Sequence, residues 1–89
     1  MFTVYAIKSK EKNYIYVGLT SNLKKRIARH QNGYETTTKF YRPFDIIYLD
    51  FFPSRVEARE EEKYLKSGCG KEFLKQIISS GGGTVDTQG

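Results

Sequence analysis

Five polar side chains in this sequence have the chemical types needed to hydrolyse a phosphodiester, and they are spread over most of its length. They are Tyr5 and Tyr16 in two aromatic-rich runs, Arg26 and His30 four positions apart in a basic segment, and Glu62 in a later acidic segment. A guanidinium binds phosphate oxygens through paired hydrogen bonds, a carboxylate holds a hard divalent cation, and phenol and imidazole groups transfer protons. Packing or solubility explains each residue taken alone, so the chemistry depends on whether the fold brings the five together.

The elements that would position these residues follow the order β-β-α-β-α-α. Alternating aromatic and β-branched residues predict three strands, the first two joined as a hairpin, and apolar residues at helical spacing predict three helices. The predicted elements are strands at 2–8, 14–19 and 44–52, a helix ending near 31, and helices at 55–67 and 71–78. They indicate an α+β domain over residues 1–78, with a small three-stranded, mostly antiparallel sheet flanked by helices and the first strand at its centre. Residues 79–89 contain little apolar material and are expected to form a flexible tail.

Polar residues and glycines predict where the helices begin and end. Thr20 or Ser21 is expected to cap the first helix. Ser54, followed three positions later by a glutamate, forms a capping box for the second helix. Cys69 stands between two glycines and is expected in the turn that follows the second helix.

Basic residues are concentrated in the first half of the chain. The net charge is +5; residues 8–42 contain nine basic residues against two acidic ones, whereas residues 43–66 contain six acidic and four basic ones. A concentration of positive charge is typical of proteins that bind a phosphate backbone. Lysines that only maintain solubility would give the same count, so charge alone does not decide between the two.

Composition excludes several classes of site. The chain has one cysteine and one histidine, which excludes an internal disulfide and a metal site built from several cysteines or histidines. The glycine- and lysine-containing loop of nucleoside-triphosphate hydrolases is missing from the sequence. No apolar run approaches the length of a membrane span and there is no signal-peptide pattern, so we expect no membrane association and a cytoplasmic location.

Glu62 has two interpretations. It lies three positions before Leu65 on the apolar stripe of the second predicted helix, and a carboxylate there costs free energy unless it is paired or holds a metal. The alternative is an ordinary ion pair with Lys66, four positions later on the helix surface. The neighbouring Glu60 and Glu61 are expected to be solvated.

Tyr5, Tyr16 and Gly18 form a second unusual group. A tyrosine in a strand usually packs against its neighbours, but here two stand in adjacent paired strands, followed by a glycine and a basic helix. A glycine within a strand often marks a close approach to the backbone. A ligand phosphate is one candidate for the group that approaches Gly18.

The combined pattern resembles the GIY-YIG nuclease superfamily. Its first signature appears here as VYA, around Tyr5, and its second as YVG, beginning at Tyr16 roughly ten residues later. Arg26 and His30 stand in the following helix as in the second motif of the family, and Glu62 stands in a later helix where the family keeps its metal-binding carboxylate. The resemblance covers about residues 2–78, in particular to small stand-alone bacterial members related to the catalytic domain of the excision-repair nuclease.

This resemblance implies a metal-dependent endonuclease that hydrolyses DNA phosphodiester bonds in DNA repair or processing. Glu62 would hold Mg²⁺ (or Mn²⁺), and Arg26 would neutralise charge in the transition state. Tyr16 would act as general base on the attacking water, with its hydroxyl steered by Tyr5 or His30. The residues expected to contact the nucleic acid are Gly18, Lys24, Lys25, Arg29, Lys39 and Arg42.

Two other functions use the same fold. A non-catalytic module would hold nucleic acid on its basic face without cutting it, because binding needs only distributed lysines and arginines. An adaptor would contact another protein through an exposed apolar patch, and no segment outside the predicted core looks apolar enough. For the nuclease, we expect a preference for branched or single-stranded DNA, and a protein partner or a homodimer to supply further surface.

Overall fold

The structure, a computed structural model, describes residues 1–79 and contains three strands and three α-helices in the predicted order β-β-α-β-α-α. A short 3₁₀-helix lies in the loop before the third strand. The elements are β1 (Phe2–Ser9), β2 (Ile15–Thr20), α1 (Leu23–Gln31), the 3₁₀-helix (Lys39–Tyr41), β3 (Phe44–Phe52), α2 (Arg55–Lys66) and α3 (Gly68–Ser79).

The three strands form one antiparallel sheet in the order β2-β1-β3, so the prediction of an α+β fold with a central first strand is confirmed. The hairpin register places Tyr5 opposite Gly18 and Ile7 opposite Tyr16. Residues directly opposite each other in a sheet share a face. Both tyrosines therefore lie on one side of the sheet.

The two faces of the sheet have different cores. One face packs against α2 and α3, and its buried cluster consists of Val4, Ala6, Val17, Ala58, Leu65 and Leu74. The other face packs against α1, and its cluster consists of Tyr5, Ile7 and Phe44, with Tyr14, Tyr16, Leu23, Ile27 and Tyr41 partly buried around it. The aromatic side chains of the second face supply much of its buried area. The candidate site is built on this second face.

The prediction for the start of α1 was wrong, because Asn22 caps this helix instead of Thr20 or Ser21. The Asn22 side chain accepts a hydrogen bond from the Lys25 amide at 3.2 Å. Thr20 still belongs to β2, and its hydroxyl accepts from the Asn22 amide at 3.0 Å. The helix therefore begins later than the sequence pattern indicated. Ser54 caps α2 as predicted, since its hydroxyl accepts from the Glu57 amide at 3.3 Å, but the reciprocal bond of a capping box is not seen in the described residues.

The connection between α2 and α3 is shorter than predicted. We expected Cys69 in a turn, but α3 already begins at Gly68 and Cys69 is exposed in its first turn. Ser67 alone joins the helices, and its hydroxyl accepts from the Gly70 amide at 3.2 Å. Gly70 packs directly on the backbone of α2, where a Cβ atom would clash with the Tyr64 carbonyl oxygen. Ser79 is the last residue of α3, and residues 80–89 of the predicted tail lie outside the described residues.

An exposed apolar strip on β3 contradicts our expectation that no such surface exists outside the core. Ile46, Leu49 and Phe51 are 46%, 41% and 54% exposed. They lie opposite Ile7, Tyr5 and Thr3 on the face that carries α1. The strip is exposed because β3 is an edge strand and α1 covers only the β1–β2 side of this face. Within residues 1–79, no helix has the length and hydropathy needed to cross a membrane.

Candidate active site

Tyr5, His30 and Thr38 form a buried chain of hydrogen bonds between β1, α1 and the following loop. The Tyr5 hydroxyl lies 2.8 Å from His30 Nε2, and His30 Nδ1 lies 2.8 Å from the Thr38 hydroxyl. All three side chains are buried. Leu23 and Ile27 anchor α1 on the sheet, which directs His30, in the last turn of the helix, toward Tyr5.

The environment fixes the protonation of this chain. Burial raises the pKa of the Tyr5 phenol well above its usual range; Arg26 opposes this shift, and Tyr16, Glu35 and Glu62 add to it. Burial also lowers the pKa of His30 below 6.5; Arg26 and Arg29 strengthen this shift and Glu35 opposes it. At neutral pH the phenol is protonated and the imidazole is neutral. The assignment that satisfies all three groups has the Tyr5 hydroxyl donating to Nε2 and Nδ1–H donating to the Thr38 hydroxyl.

We expect the buried His30 to make stability depend on pH. A histidine whose pKa is lowered by folding stabilises the protein fully above its unfolded value near 6.5, and this contribution is lost as pH falls toward the folded value. The loss amounts to about 1.4 kcal/mol for each unit of lowering. Urea unfolding between about pH 7 and 5 should show this slope in the wild type and not in His30→Gln. An equal slope in both proteins would contradict the prediction.

Tyr16 lies beside the Tyr5–His30 pair but is not enclosed by it. Its ring centroid is 6.3 Å from that of Tyr5 and 5.0 Å from that of His30. The side chain is half-buried, whereas those of Tyr5 and His30 are fully buried. Of the three rings, that of Tyr16 is therefore the one that a solvent molecule or a substrate could reach.

Arg26 is held against this group of rings. Its pKa is raised: burial works against the charged form, but the neighbouring Tyr5, Glu35 and Tyr16 side chains outweigh it. Its Nε atom is buried and has no hydrogen-bond partner, the only such side-chain atom found in the described part of the chain. The Glu35 carboxylate is 3.5 Å from this nitrogen. A buried donor without an acceptor is costly, so Arg26 is ready to accept an additional anionic partner.

Glu62 has features of both interpretations drawn from the sequence, a carboxylate on the apolar stripe of the helix and an ion pair with Lys66. Only 15% of its side chain is exposed, and its carboxylate pairs with Lys66 at 3.2 Å and with Arg59 at 3.6 Å. Its helix packs on the sheet face opposite Tyr5, yet its charge contributes to the raised pKa of that phenol. In residues 1–79 there is no cluster of three or more acidic, histidine or cysteine side chains suited to a metal.

Comparison with known proteins identifies the family. The model of the GIY-YIG catalytic domain matches residues 1–73, which is most of the chain.

The chain belongs to the GIY-YIG family.

Members of the GIY-YIG family are generally nucleases, and the relatives of this domain are small bacterial proteins. A UPF0213 protein of Clostridium perfringens is 38% identical over 78 residues, covering 86% of this chain and 82% of the relative. A UPF0213 protein of Staphylococcus haemolyticus is 37% identical over 75 residues, covering 83% and 90%. The solution NMR structure of the UPF0213 protein BH0048 from Bacillus halodurans has a TM-score of 0.52 and 32% identity, covering 94% of this chain and 89% of that one.

Two residues of this GIY-YIG domain were missed by sequence analysis. Thr38 fixes the His30 ring, and Glu35 accepts from Arg29 Nε at 2.7 Å while facing Arg26. Both lie in the polar loop after α1. This loop folds back over the helix, and no local sequence pattern predicts that path. The sequence did contain a signal for Thr38. A buried histidine needs a hydrogen-bond partner for each ring nitrogen, and the run of three threonines in this loop supplies hydroxyl groups.

Gly18 lies in β2, and the other predicted nucleic-acid contacts lie on α1 and in the loop beside the GIY-YIG site. Lys25 and Arg29 line a cavity together with Arg26. The cations among those predicted are Lys24, Lys25, Arg29, Lys39 and Arg42, and all five are exposed. Their role in binding remains a prediction.

A second basic groove was missed by sequence analysis. A cavity of about 520 Å³ runs along β2 from Asn13 to Val17, includes Tyr16, and is bordered by Lys66, Lys71 and Lys75 of α2 and α3. Net charge counted along the chain did not indicate these three lysines, because the acidic residues of α2 precede them in the sequence and offset their charge. It places three lysines beside β2 on the side of the sheet that packs against α2 and α3.

Two local expectations for this domain were wrong. The Tyr5 ring, not an open space for a phosphate, lies against Gly18, where a Cβ atom would come within 2.8 Å of Tyr5 Cε1. Glu61 is not an ordinary solvated charge, because its carboxylate accepts a hydrogen bond from the Tyr48 hydroxyl on β3. Both corrections have the same cause: an aromatic ring from a neighbouring strand reaches a position that looks exposed in the sequence.

Proposed function

We propose that this GIY-YIG domain is a metal-dependent endonuclease that hydrolyses DNA phosphodiester bonds. The observation that carries the proposal is the buried, unpartnered Nε of Arg26 beside the group formed by Tyr5, Tyr16 and His30. A guanidinium in this position supplies charge-assisted hydrogen bonds to a phosphate. The rings beside it include the Tyr16 phenol, whose phenolate form can take up a proton.

In the proposed reaction, Tyr16 first releases its hydroxyl proton to solvent, and the resulting phenolate takes a proton from a water molecule as the water oxygen bonds to phosphorus. The bond from phosphorus to one deoxyribose oxygen breaks, and the leaving oxygen takes up a proton from solvent. Arg26 donates to a non-bridging oxygen and balances the negative charge that develops in the transition state. Tyr5 is unsuited to the role of base because its pKa is raised by burial and its hydroxyl is bound to His30.

Glu62 is the residue that would hold the cation. Mg²⁺ and Mn²⁺ accept oxygen ligands, and Mg²⁺ usually keeps several waters and binds through one or two carboxylates and the substrate phosphate, so a single glutamate fits this donor set. Binding would require the carboxylate to leave Arg59 and Lys66, which are both more than half exposed and can move into solvent. The bound ion would supply Lewis-acid stabilisation of the phosphate and of the leaving oxygen.

The proposal is tested with Glu62→Gln, beside Glu60→Gln as a control that removes one exposed charge from the same helix. Labelled linear, branched and single-stranded DNA is incubated with each protein over a series of Mg²⁺ or Mn²⁺ concentrations. Because the amide is a poor ligand, Glu62→Gln should need at least about 10- to 100-fold more cation for the same rate. Glu60→Gln should behave as the wild type.

A second readout is independent of cleavage. Mn²⁺ should broaden the amide NMR signals around Glu62 in the wild type and leave them sharp in Glu62→Gln. No cleavage of any substrate by the wild type, with unchanged spectra on addition of Mn²⁺, would contradict the nuclease proposal.

The pairing of Glu62 with Lys66 and Arg59 favours one alternative, a nucleic-acid-binding module without catalysis. Such a module would retain DNA in a salt-dependent manner, equally in the wild type and in Glu62→Gln, and would cut nothing. For the nuclease we propose a cytoplasmic role in DNA repair or processing, with branched or single-stranded DNA as substrate. A protein partner or a second copy would extend the small binding surface.

A further inference from the structure

A small basic cavity adjoins the proposed catalytic group on the side of α1. Its volume is about 170 Å³, equivalent to between five and six water molecules at about 30 Å³ each, which is room for a phosphate group. The residues that line it are Thr20, Asn22, Lys25, Arg26, Arg29 and Glu35. Three are cations and one is an anion, so the cavity attracts negative charge and already contains one carboxylate.

The Glu35 carboxylate lies between two guanidinium groups. The same oxygen, Oε2, accepts from Arg29 Nε at 2.7 Å and lies 3.5 Å from Arg26 Nε. The second distance is too long for a hydrogen bond, which leaves Arg26 Nε without a partner. One carboxylate in this position satisfies only one of the two donors. A phosphate has more oxygens, arranged tetrahedrally, and can accept from both.

The loop lets this carboxylate move without disturbing the catalytic group. The backbone oxygen of Glu35 accepts from the Thr38 and Lys39 amides at 3.1 and 3.0 Å. These bonds fix the main chain and hold Thr38 against His30. The Glu35 side chain is 24% exposed and has an open path to solvent. Its displacement therefore requires the loss of the bond to Arg29 and a change of side-chain rotamer, but no movement of the main chain.

We propose that this cavity binds a second phosphate of the DNA backbone, next to the one that is cut, and that Glu35 occupies the position until the nucleic acid displaces it. The inference rests on the proposed nuclease function. In the bound state Lys25, Arg29 and the Nε atom of Arg26 contact the second phosphate, and the terminal nitrogens of Arg26 donate to the scissile one. Two phosphates then set the path of the DNA strand across α1. A ligand that carries only one phosphate gains less when it displaces Glu35, so Glu35 opposes its binding.

The test uses Glu35→Gln, which keeps the size of the side chain and its ability to accept from Arg29 but removes the charge. Glu60→Gln is the matched control, because it removes one negative charge from an exposed position on α2. Binding of a short fluorescein-labelled single-stranded oligodeoxynucleotide is measured by anisotropy over a salt series. EDTA is present, so that no cleavage occurs.

We expect Glu35→Gln to bind about three- to tenfold more tightly than the wild type at low salt, because a like charge no longer faces the phosphate. Glu60→Gln should change affinity less than about twofold, because exposed charges beyond about 10 Å are screened. Arg29→Gln should weaken binding and reduce the slope of log affinity against log salt by about one. Urea unfolding of each variant establishes that it is folded.

The Nε–H signals of Arg26 and Arg29 in ¹H–¹⁵N spectra locate the effect. Both should shift when the oligonucleotide is added, and should saturate at lower concentration in Glu35→Gln. Inorganic phosphate serves as a second probe, and should shift the same signals only weakly if the site is built for a backbone. Saturation by inorganic phosphate with no response to the oligonucleotide would overturn the assignment to DNA.

Failure of this inference is distinguishable from failure of the nuclease proposal. If the wild type binds and cuts DNA but Glu35→Gln binds no more tightly than Glu60→Gln, Glu35 does not occupy a phosphate position and the inference alone is wrong. Tighter binding without a shift of the two arginine signals has the same meaning. If no oligonucleotide binds at low salt, the inference is wrong, and the nuclease proposal is decided by the cleavage and Mn²⁺ measurements.

Discussion

Replacing Tyr16 by phenylalanine is expected to lower the rate of metal-dependent DNA cleavage by about 10²- to 10⁴-fold, the usual contribution of a general base. The change removes only the hydroxyl. The ring keeps its packing against Tyr5 and His30, with centroids 6.3 and 5.0 Å away. Tyr5 cannot replace the missing base, because burial raises its pKa and its hydroxyl is bound to His30.

Tyr14→Phe is the matched control for this prediction. Tyr14 lies two residues earlier along the chain, packs on the same side of the sheet, and stacks on Tyr41 with ring centroids 3.8 Å apart. It also loses a single hydroxyl, but outside the catalytic group. We expect its cleavage rate to stay within about twofold of the wild type, since the ring keeps its packing and the lost hydroxyl is not part of the catalytic group.

Initial rates at saturating cation separate the two variants, and anisotropy in EDTA shows whether DNA affinity is retained. Tyr16→Phe should bind as tightly as the wild type and lose turnover, because the hydroxyl is needed only when the proton moves. Undiminished cleavage by Tyr16→Phe would show that another group accepts the proton. Equal losses in Tyr16→Phe and Tyr14→Phe would point to a disturbed strand and would also contradict the assignment.

Much of the fold was predictable because its signals are local. The run of aromatic and β-branched residues along Phe44–Phe52 gave the bounds of β3, and the capping-box pattern at Ser54 gave the start of α2. The spacing of Arg26 and His30 on one side of a short helix likewise placed both beside the sheet. Signals of this kind need no knowledge of the rest of the chain, because a strand face or a helix stripe repeats within a few residues.

The errors lie where distant segments meet. Glu35 and Thr38 acquire their roles only because the loop after α1 folds back over the helix. Lys66 and Lys71 share a groove because Ser67 alone joins two helices, which could not be deduced from a pair of glycines. Net charge counted along the sequence is a poor guide to such surfaces, since residues of opposite sign on a helix can face different directions.

Gly18→Ala is expected to lower the free energy of unfolding by about 1–3 kcal/mol, the usual cost of forcing an extra methyl group into a packed core. The added Cβ would lie 2.5 Å from Tyr5 Cζ and 2.8 Å from Cε1, and closer still to the hydroxyl. Without this contact the substitution would stabilise by about 0.4–1 kcal/mol, because alanine has less freedom than glycine in the unfolded chain. Any observed loss is therefore due to the Tyr5 ring.

Gly68→Ala is the control, because a Cβ there has no atom within 4 Å. It should leave stability unchanged or slightly raised in urea unfolding. Gly18→Ala should also reduce cleavage. The displaced Tyr5 hydroxyl can no longer reach His30 Nε2, now 2.8 Å away, and the rings that support Tyr16 shift with it.

A double-mutant cycle with Tyr5→Phe separates this explanation from general damage to β2. Alone, Tyr5→Phe leaves His30 without its buried partner, at a cost of about 1–3 kcal/mol. If Gly18→Ala has already broken that hydrogen bond, adding Tyr5→Phe should cost much less, and the two losses should not add. Additive losses would mean that Tyr5 tolerates a methyl group at position 18. In that case the close packing of Gly18 on Tyr5 would not be what aligns the hydroxyl with His30.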